Sequence, residues 1–394
     1  MARLPAAEWT QRPALAELVA ALGPGNARWV GGAVRDTLLG CEAHDIDAAT
    51  PLTPKEVIDR LDAAGIRTIP TGIDHGTVTA IVEGGNVEIT TLRHDVSTDG
   101  RRATIAFAND WRDDAARRDF TINALYADPV TLEVFDYFGG VDDLASGRVR
   151  FIGDPRARIR EDHLRILRYF RFQTRFGSAL DPEAEEACAE LAPTLKGLSR
   201  ERVGWELQNL LALPNPSDTV VRMRELGVLQ VVLPEAGPHE TGKLAELVTA
   251  EREAKIEPDA MRRLAALIPA VPPVAEAVSA RLRLSKSQRA RLVCAAARDL
   301  RDGDNARSLA YRVGMSCAID RLLLTGAEPG PLADWDVPVF PLKGGMIVAR
   351  GIAAGPEVAR ILQTVEKLWV EEGFPGDERI DQLLVSTLAR SAAD

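Results

Sequence analysis

Gly31-Gly32-Ala33-Val34-Arg35-Asp36 and, a short way on, Asp45-Ile46-Asp47 form the stretch on which the reading of this 394-residue chain turns. Residues 27–30 read as a strand running into the glycine pair, 33–39 as a helix stopped by Gly40, and 45–49 as a second strand. The glycines let backbone approach a phosphate without interference from Cβ, and the helix start adds a favourable dipole. Arg35, one turn in, reaches the same anion. GxGxxG is absent, so this is not a dinucleotide-binding fingerprint. Side chains two apart in a strand point the same way, so Asp45 and Asp47 share a face while Ile46 faces the core. Two carboxylates so placed repel each other unless a cation sits between them, and Mg²⁺ with oxygen ligands suits that arrangement. Taken alone, Asp-x-Asp describes an exposed strand edge equally well. Its place just after a strand–Gly-Gly–helix unit gives it weight.

Working outward, Thr53-Pro54-Lys55-Glu56 combines an N-cap, a proline at the first helical position and a capping-box glutamate, so a helix starts there and ends at Gly65. Residues 77–83 and 86–92 alternate around Gly84-Gly85 and predict a β-hairpin. Glu88 lies on its second strand, on the face away from Val87 and Ile89. If that face looks toward Asp45 and Asp47, it supplies the third carboxylate of a two-metal site. Otherwise Glu88 is an ordinary solvent-facing strand residue. Residues 94–114, polar and carrying Gly100-Arg101-Arg102, read as a mobile loop. Beyond about Gly153 strand signals fade. Residues 160–176, 182–191, 200–211, 218–226, 243–255 and 287–298 read as helices, with a second capping box at Ser285 and Gln288.

The fold class expected is therefore α+β: an N-terminal head with a small mixed or antiparallel sheet and helices, then a long all-helical body. The divisions expected are 1–150 for the head, 151–215 for a helical neck and 216–394 for the body and tail. A chain of this length is too long for one ordinary core. Hydrophobic residues at 46% and charged residues at 27% are those of a globular protein, and no apolar run approaches the roughly 18–20 residues that span a bilayer. No secretory signal is apparent. Four scattered cysteines with no CxxC read as free, mostly buried thiols in a reducing cytoplasm. The net charge of −10 argues against nucleic-acid binding through the whole surface. Between Arg148 and Arg175, however, nine arginines stand against Asp154, Glu161 and Asp162. Such a stripe fits one anionic ligand bound in one place, or a solvated helix face.

The glycine turn, Asp45-Ile46-Asp47, Arg117-Arg118-Asp119-Phe120-Thr121-Ile122-Asn123-Ala124 and Glu161-Asp162-His163-Leu164-Arg165 together resemble the class II tRNA nucleotidyltransferase and bacterial poly(A) polymerase family, within the polymerase β-like superfamily. The likeness runs from about residue 26 to 215. It continues more loosely to Gly344-Gly345 and Gly355-Pro356-Glu357-Val358. The resemblance implies that Gly32 and Arg35 hold a triphosphate, that Asp45 and Asp47 bind Mg²⁺ with Glu88 as third carboxylate, and that Arg117, Arg118, Asp119 and Asn123 handle the nucleotide's ribose and phosphates. It implies that Asp162 and Arg165 read the base. Chemistry explains the choice of bases. Cytosine and adenine both present an amino donor beside a ring-nitrogen acceptor, so a carboxylate and a guanidinium accept both and reject uracil and guanine. Expected one helical turn apart, Asp162 and Arg165 would otherwise be a surface ion pair. Arg168 and Arg171 continue that spacing, either to reach phosphate or to tune the pocket.

Within the family, the implied activity is addition of C, C and A to the 3′ end of tRNA from CTP and ATP, with partial (CC- or A-adding) enzymes and poly(A) polymerases as alternatives. Thr71-Gly72-Ile73-Asp74-His75-Gly76 resembles the CCA-adding segment, and the C-terminal end is acidic rather than basic. His44-Asp45 and His94-Asp95 are HD dipeptides, but five histidines leave too few ligands for a phosphohydrolase site. A catalytically dead RNA-binding relative would have lost Asp45 or Asp47. A small-molecule nucleotidyltransferase would not need the helical body.

Overall fold

The computed structural model describes residues 2–43, 45–99, 102–108 and 110–391. It divides into two compact units, Met1–Pro234 and Glu235–Asp394. In the first unit, strands β1 (Arg28–Val30), β2 (Ile46–Thr50), β3 (Thr68–Gly72), β4 (Thr77–Val82), β5 (Gly85–Thr91), β8 (Leu125–Ala127) and β9 (Val134–Asp136) form one mixed sheet in the order β3-β4-β5-β2-β1-β8-β9. β2 runs antiparallel to β1 and parallel to β5. Ile46, Ala48, Ala49 and Thr50 are buried while Asp47 is not fully so, as expected of an interior strand whose polar residue marks the working face. The expected hairpin is β4–β5, closed at Gly84, whose φ of 84° suits glycine.

Helices α1 (Pro13–Leu22), α2 (Gly32–Leu38), α3 (Pro54–Ala63), α4 (Trp111–Ala116) and α5 (Gly140–Ala145) accompany the sheet. Thr53 caps α3 reciprocally with Glu56, its backbone N–H donating to the Glu56 carboxylate at 2.8 Å. Helices α6 (Pro155–Glu161), α7 (Arg165–Phe176), α8 (Pro182–Leu191) and α9 (Arg200–Leu211) follow. These neck helices belong to the same compact unit as the sheet. Phe120, from the segment after α4, packs on Phe151 and on Phe172 of α7 with ring centroids 4.8 and 5.3 Å apart.

Two local expectations are corrected. The described residues of 94–114 are largely not a loop: β6 (Arg93–Asp99) pairs antiparallel with β7 (Arg102–Phe107), and α4 follows. Val96, Thr98, Thr104 and Ile105 favour strands, a signal that high polarity hid. Gly100 and Arg101 lie outside the described residues. The helix expected over 160–176 is broken. Asp162 takes extended backbone (φ −149°, ψ 104°), its side chain accepts from the Leu164 N–H at 3.1 Å, and its carbonyl accepts from Arg165 N. Aspartate competes for nearby backbone donors in this way, and here it ends one helix and starts the next.

The described residues of the second unit are helical, from Pro238–Glu253 to Asp377–Ser391. Ser285 caps its helix with Gln288 as expected. The buried Glu251 carboxylate is held by Arg262 at 2.6 Å and Arg263 at 2.8 Å. The cysteine expectation needs correction here. Cys294 and Cys317 form a disulfide between helices Lys286–Ala296 and Met315–Thr325, whose packing brings their Cα atoms within 6.3 Å. Cys188 is a buried free thiol and Cys41 an exposed one. Among the described residues no helix is long and apolar enough to cross a membrane.

Candidate active site

β2 and β5 are parallel neighbours in a register that sets Asp47 directly beside Glu88. Residues directly opposite in a ladder project to the same face, and Asp45, two before Asp47, lies at the strand's entrance. The three carboxylates are therefore brought together. Asp47 shows the consequence: burial, then the Glu88 and Asp45 charges, push its carboxyl up to about 6, against a lowering pull from Arg118. Among the described residues no three acidic, histidine or cysteine side chains close tightly enough to hold a metal unaided. The chemistry of the set, oxygen donors with an excess of negative charge and one opposing arginine, is of the kind that suits Mg²⁺.

The glycine turn sits beside this face. Gly31 has φ 72° and precedes α2, its N–H donating to the Leu125 carbonyl at 3.1 Å. A Cβ there would lie 3.5 Å from Nη1 of Arg118, whereas one at Gly32 would meet only Arg35 Nη2 at 3.8 Å. Gly31 is thus the conformationally demanding member of the pair, and Gly32 the permissive one. Arg35 is only 5% exposed. Its guanidinium donates to Asp36 at 2.9 Å and to Asn123 Oδ1 at 2.5 Å, and lies over the Phe176 ring. It positions neighbours more than it projects outward. Burial lowers its pKa, with Asp36 opposing.

Asp114, missed in the sequence, anchors the arginine pair. It is 1% exposed and accepts from Arg117 at 2.7 Å, from Arg118 at 3.4 Å and from the Tyr126 hydroxyl at 2.6 Å. Burial opposes its ionisation, but Arg118, Arg117 and Tyr126 together hold its pKa below the usual range. Asp119 is bound by Arg168 at 2.6 Å and by Asn123 Nδ2 at 3.0 Å. Against the cost of burial, these partners hold its carboxyl at about 2. Arg168 and Arg171 both reach Glu206 of α9, at 3.4 and 2.7 Å. Glu206 was legible in principle: it is an acid on the Val203, Leu207, Leu210 stripe, where only a buried cation would keep it.

Asp162 and Arg165 are not an ion pair. Arg165 donates to Glu161 at 2.5 Å and to the carbonyls of Arg158 and Arg117, while Asp162 accepts from Arg202 at 2.7 Å. The basic stripe is corrected as well. All nine arginines between 148 and 175 have carboxylate partners, most of them distant in sequence: Asp36, Asp119, Asp143, Asp181, Glu190 and Glu206 among them. It is not a bare anion site but an internally paired stripe, with Arg160 and Arg175 still exposed.

Residues 27–150 match the family described as Poly A polymerase head domain, and residues 178–238 match Probable RNA and SrmB-binding site of polymerase A. The mouse protein named CCA tRNA nucleotidyltransferase 1, mitochondrial, is 36% identical over 377 residues, 91% of this chain and 85% of that one. A Leuconostoc mesenteroides CCA-adding enzyme is 39% identical over 54% of this chain and 52% of its own. The crystal structure of the Bacillus stearothermophilus CCA-adding enzyme in complex with CTP superposes with a TM-score of 0.77 at 26% identity, over 98% of this chain and all of that one. The chain belongs to the class II CCA tRNA nucleotidyltransferase and poly(A) polymerase head family.

Proposed function

We propose that this enzyme adds C, C and A to the 3′ end of tRNA, taking CTP and ATP and releasing pyrophosphate. The observation that carries the reading is the Asp47–Glu88 register beside the Gly31 turn, in a chain alike over 91% of its length to the mouse CCA tRNA nucleotidyltransferase. Asp45 and Asp47, with Glu88, are the residues to hold Mg²⁺. Magnesium bound there supplies activation of the tRNA 3′-hydroxyl and neutralisation of charge on the leaving pyrophosphate. Gly32 lets the triphosphate approach α2, and Arg117 and Arg118, fixed by Asp114, present cationic donors to it. Arg35 orients Asn123, and Asp119 and Asn123 together face the ribose. Asp162 accepts the exocyclic amino group of C or A, and Arg165 donates to the ring nitrogen. The base is thereby chosen without a nucleic-acid template. Arg168 and Arg171 hold α9 against this pocket through Glu206. The helical body binds tRNA largely by shape and phosphate contacts.

The test supplies tRNA lacking its 3′ end, Mg²⁺ and the nucleotides singly and together. Incorporation of C, C and A followed by arrest supports the reading. Long A tracts point to a poly(A) polymerase, and arrest after C, C or addition of A alone to a partial enzyme. The cytoplasmic setting expected from the sequence stands beside a mouse relative named as mitochondrial, and cell fractionation decides between them.

A further inference from the structure

Helix α9 contributes more to the neck than the packing of Val203, Leu207 and Leu210. Arg202 and Glu206 lie one turn apart on it, and they complete opposite charges on the facing segment. Glu206 is 1% exposed and binds Arg168 and Arg171, whereas Arg202 is partly exposed and binds toward the break between α6 and α7. There its Nη2 donates to Oδ2 of Asp162 at 2.7 Å, while Oδ1 of Asp162 accepts from the Leu164 N–H at 3.1 Å. One oxygen is held from each side, which fixes the plane of the carboxylate. A carboxylate offers about four lone-pair sites, so the remaining ones stay available. Asp162 and Arg202 both line a cavity of about 470 Å³, together with Leu164, Arg168, Trp205 and Glu206.

We infer that Arg202 is a specificity-determining positioning residue: it holds the Asp162 carboxylate in the orientation from which that group accepts the amino donor of an incoming cytosine or adenine. The inference rests on the reading of this site as a nucleotidyltransferase pocket and adds to it a residue outside the 161–165 motif. A carboxylate free to rotate about its last torsion presents either oxygen at many angles, and discrimination by hydrogen bonding depends on a fixed geometry. Arg202 touches the reading group, and on this account it does not touch the phosphates. Its loss therefore changes which base is accepted more than how tightly the triphosphate is held.

Equilibrium binding of CTP, ATP, UTP and GTP to the full chain, without tRNA, tests this together with steady-state addition to tRNA lacking its 3′ end. Arg202→Ala is expected to narrow the CTP-over-UTP preference by about tenfold, to raise KM for CTP and ATP, and to leave kcat for CTP within about twofold. Arg202→Lys, which keeps the charge without the planar fork, is expected to recover part of the preference. Thermal unfolding of both variants reports folding, and Arg202→Lys carries the test should Arg202→Ala be unstable. A preference among bases in the unaltered protein that survives in a folded Arg202 variant overturns the inference alone. Absence of any base preference in the unaltered protein overturns the reading of the pocket and the inference with it. A loss of kcat with unchanged base preference assigns Arg202 to structure and overturns the inference.

Discussion

Arg168 of α7 grips Asp119 at 2.6 Å, and the same guanidinium reaches Glu206 of α9 at 3.4 Å. One side chain therefore ties the segment after α4 to the neck helices. Removing it leaves two buried carboxylates short of a partner. Arg168→Ala is expected to lower stability by roughly 3–5 kcal/mol, the cost of breaking a buried pair, as read by urea unfolding at pH 7. A double-mutant cycle with Asp119→Asn should show strong coupling. Additive effects would count against the link.

The same pair sets an acid limit. Asp119 is held at about 2, below its ordinary value, so its contribution to stability is fully present above about pH 4. It is lost as pH falls through about 2. In Asp119→Asn the part of the acid-unfolding profile between those values should flatten.

Asp47 has the opposite sign. Its folded pKa is raised to about 6, so in the metal-free protein it favours folding at low pH and opposes it as pH rises through that value. A divalent cation competes with the proton. The rise in Tm on adding Mg²⁺ or Mn²⁺ is expected to be clear at pH 7.5 and nearly absent at pH 5. An equal rise at both would contradict the assignment.

Replacing Asp45 or Asp47 by alanine should abolish addition while leaving tRNA affinity nearly unchanged, measured by filter binding beside single-turnover incorporation. Equal loss of both would move these residues out of the chemistry.

The two glycines separate shape from function. Gly31→Ala is expected to cost about 1–2 kcal/mol for its positive φ alone. Gly32→Ala has room for its Cβ and should fold with unchanged Tm. A higher KM for CTP in a normally stable Gly32→Ala would place phosphate at this turn.

How far the sequence revealed all this depended on the range of the interactions involved. β2, β4 and β5 were legible because alternation and the Gly84-Gly85 turn are local. The Asp45, Asp47, Glu88 cluster followed from strand parity once the two strands were neighbours. The break at Asp162 was hidden because a single capping side chain interrupts an otherwise continuous helical pattern. The β6–β7 hairpin was hidden by its polarity. The arginine partners were hidden for another reason: Asp36, Asp119 and Glu206 meet Arg175, Arg168 and Arg171 only after folding, across long stretches of chain.

That saturation of the arginines by internal carboxylates has an electrostatic consequence. These acids already serve as the stripe's counterions, so a nucleotide whose base is read at the neck expels few mobile salt ions there. Nucleotide affinity at the neck should therefore change little with ionic strength, in contrast to the steep dependence of a surface that displaces condensed ions.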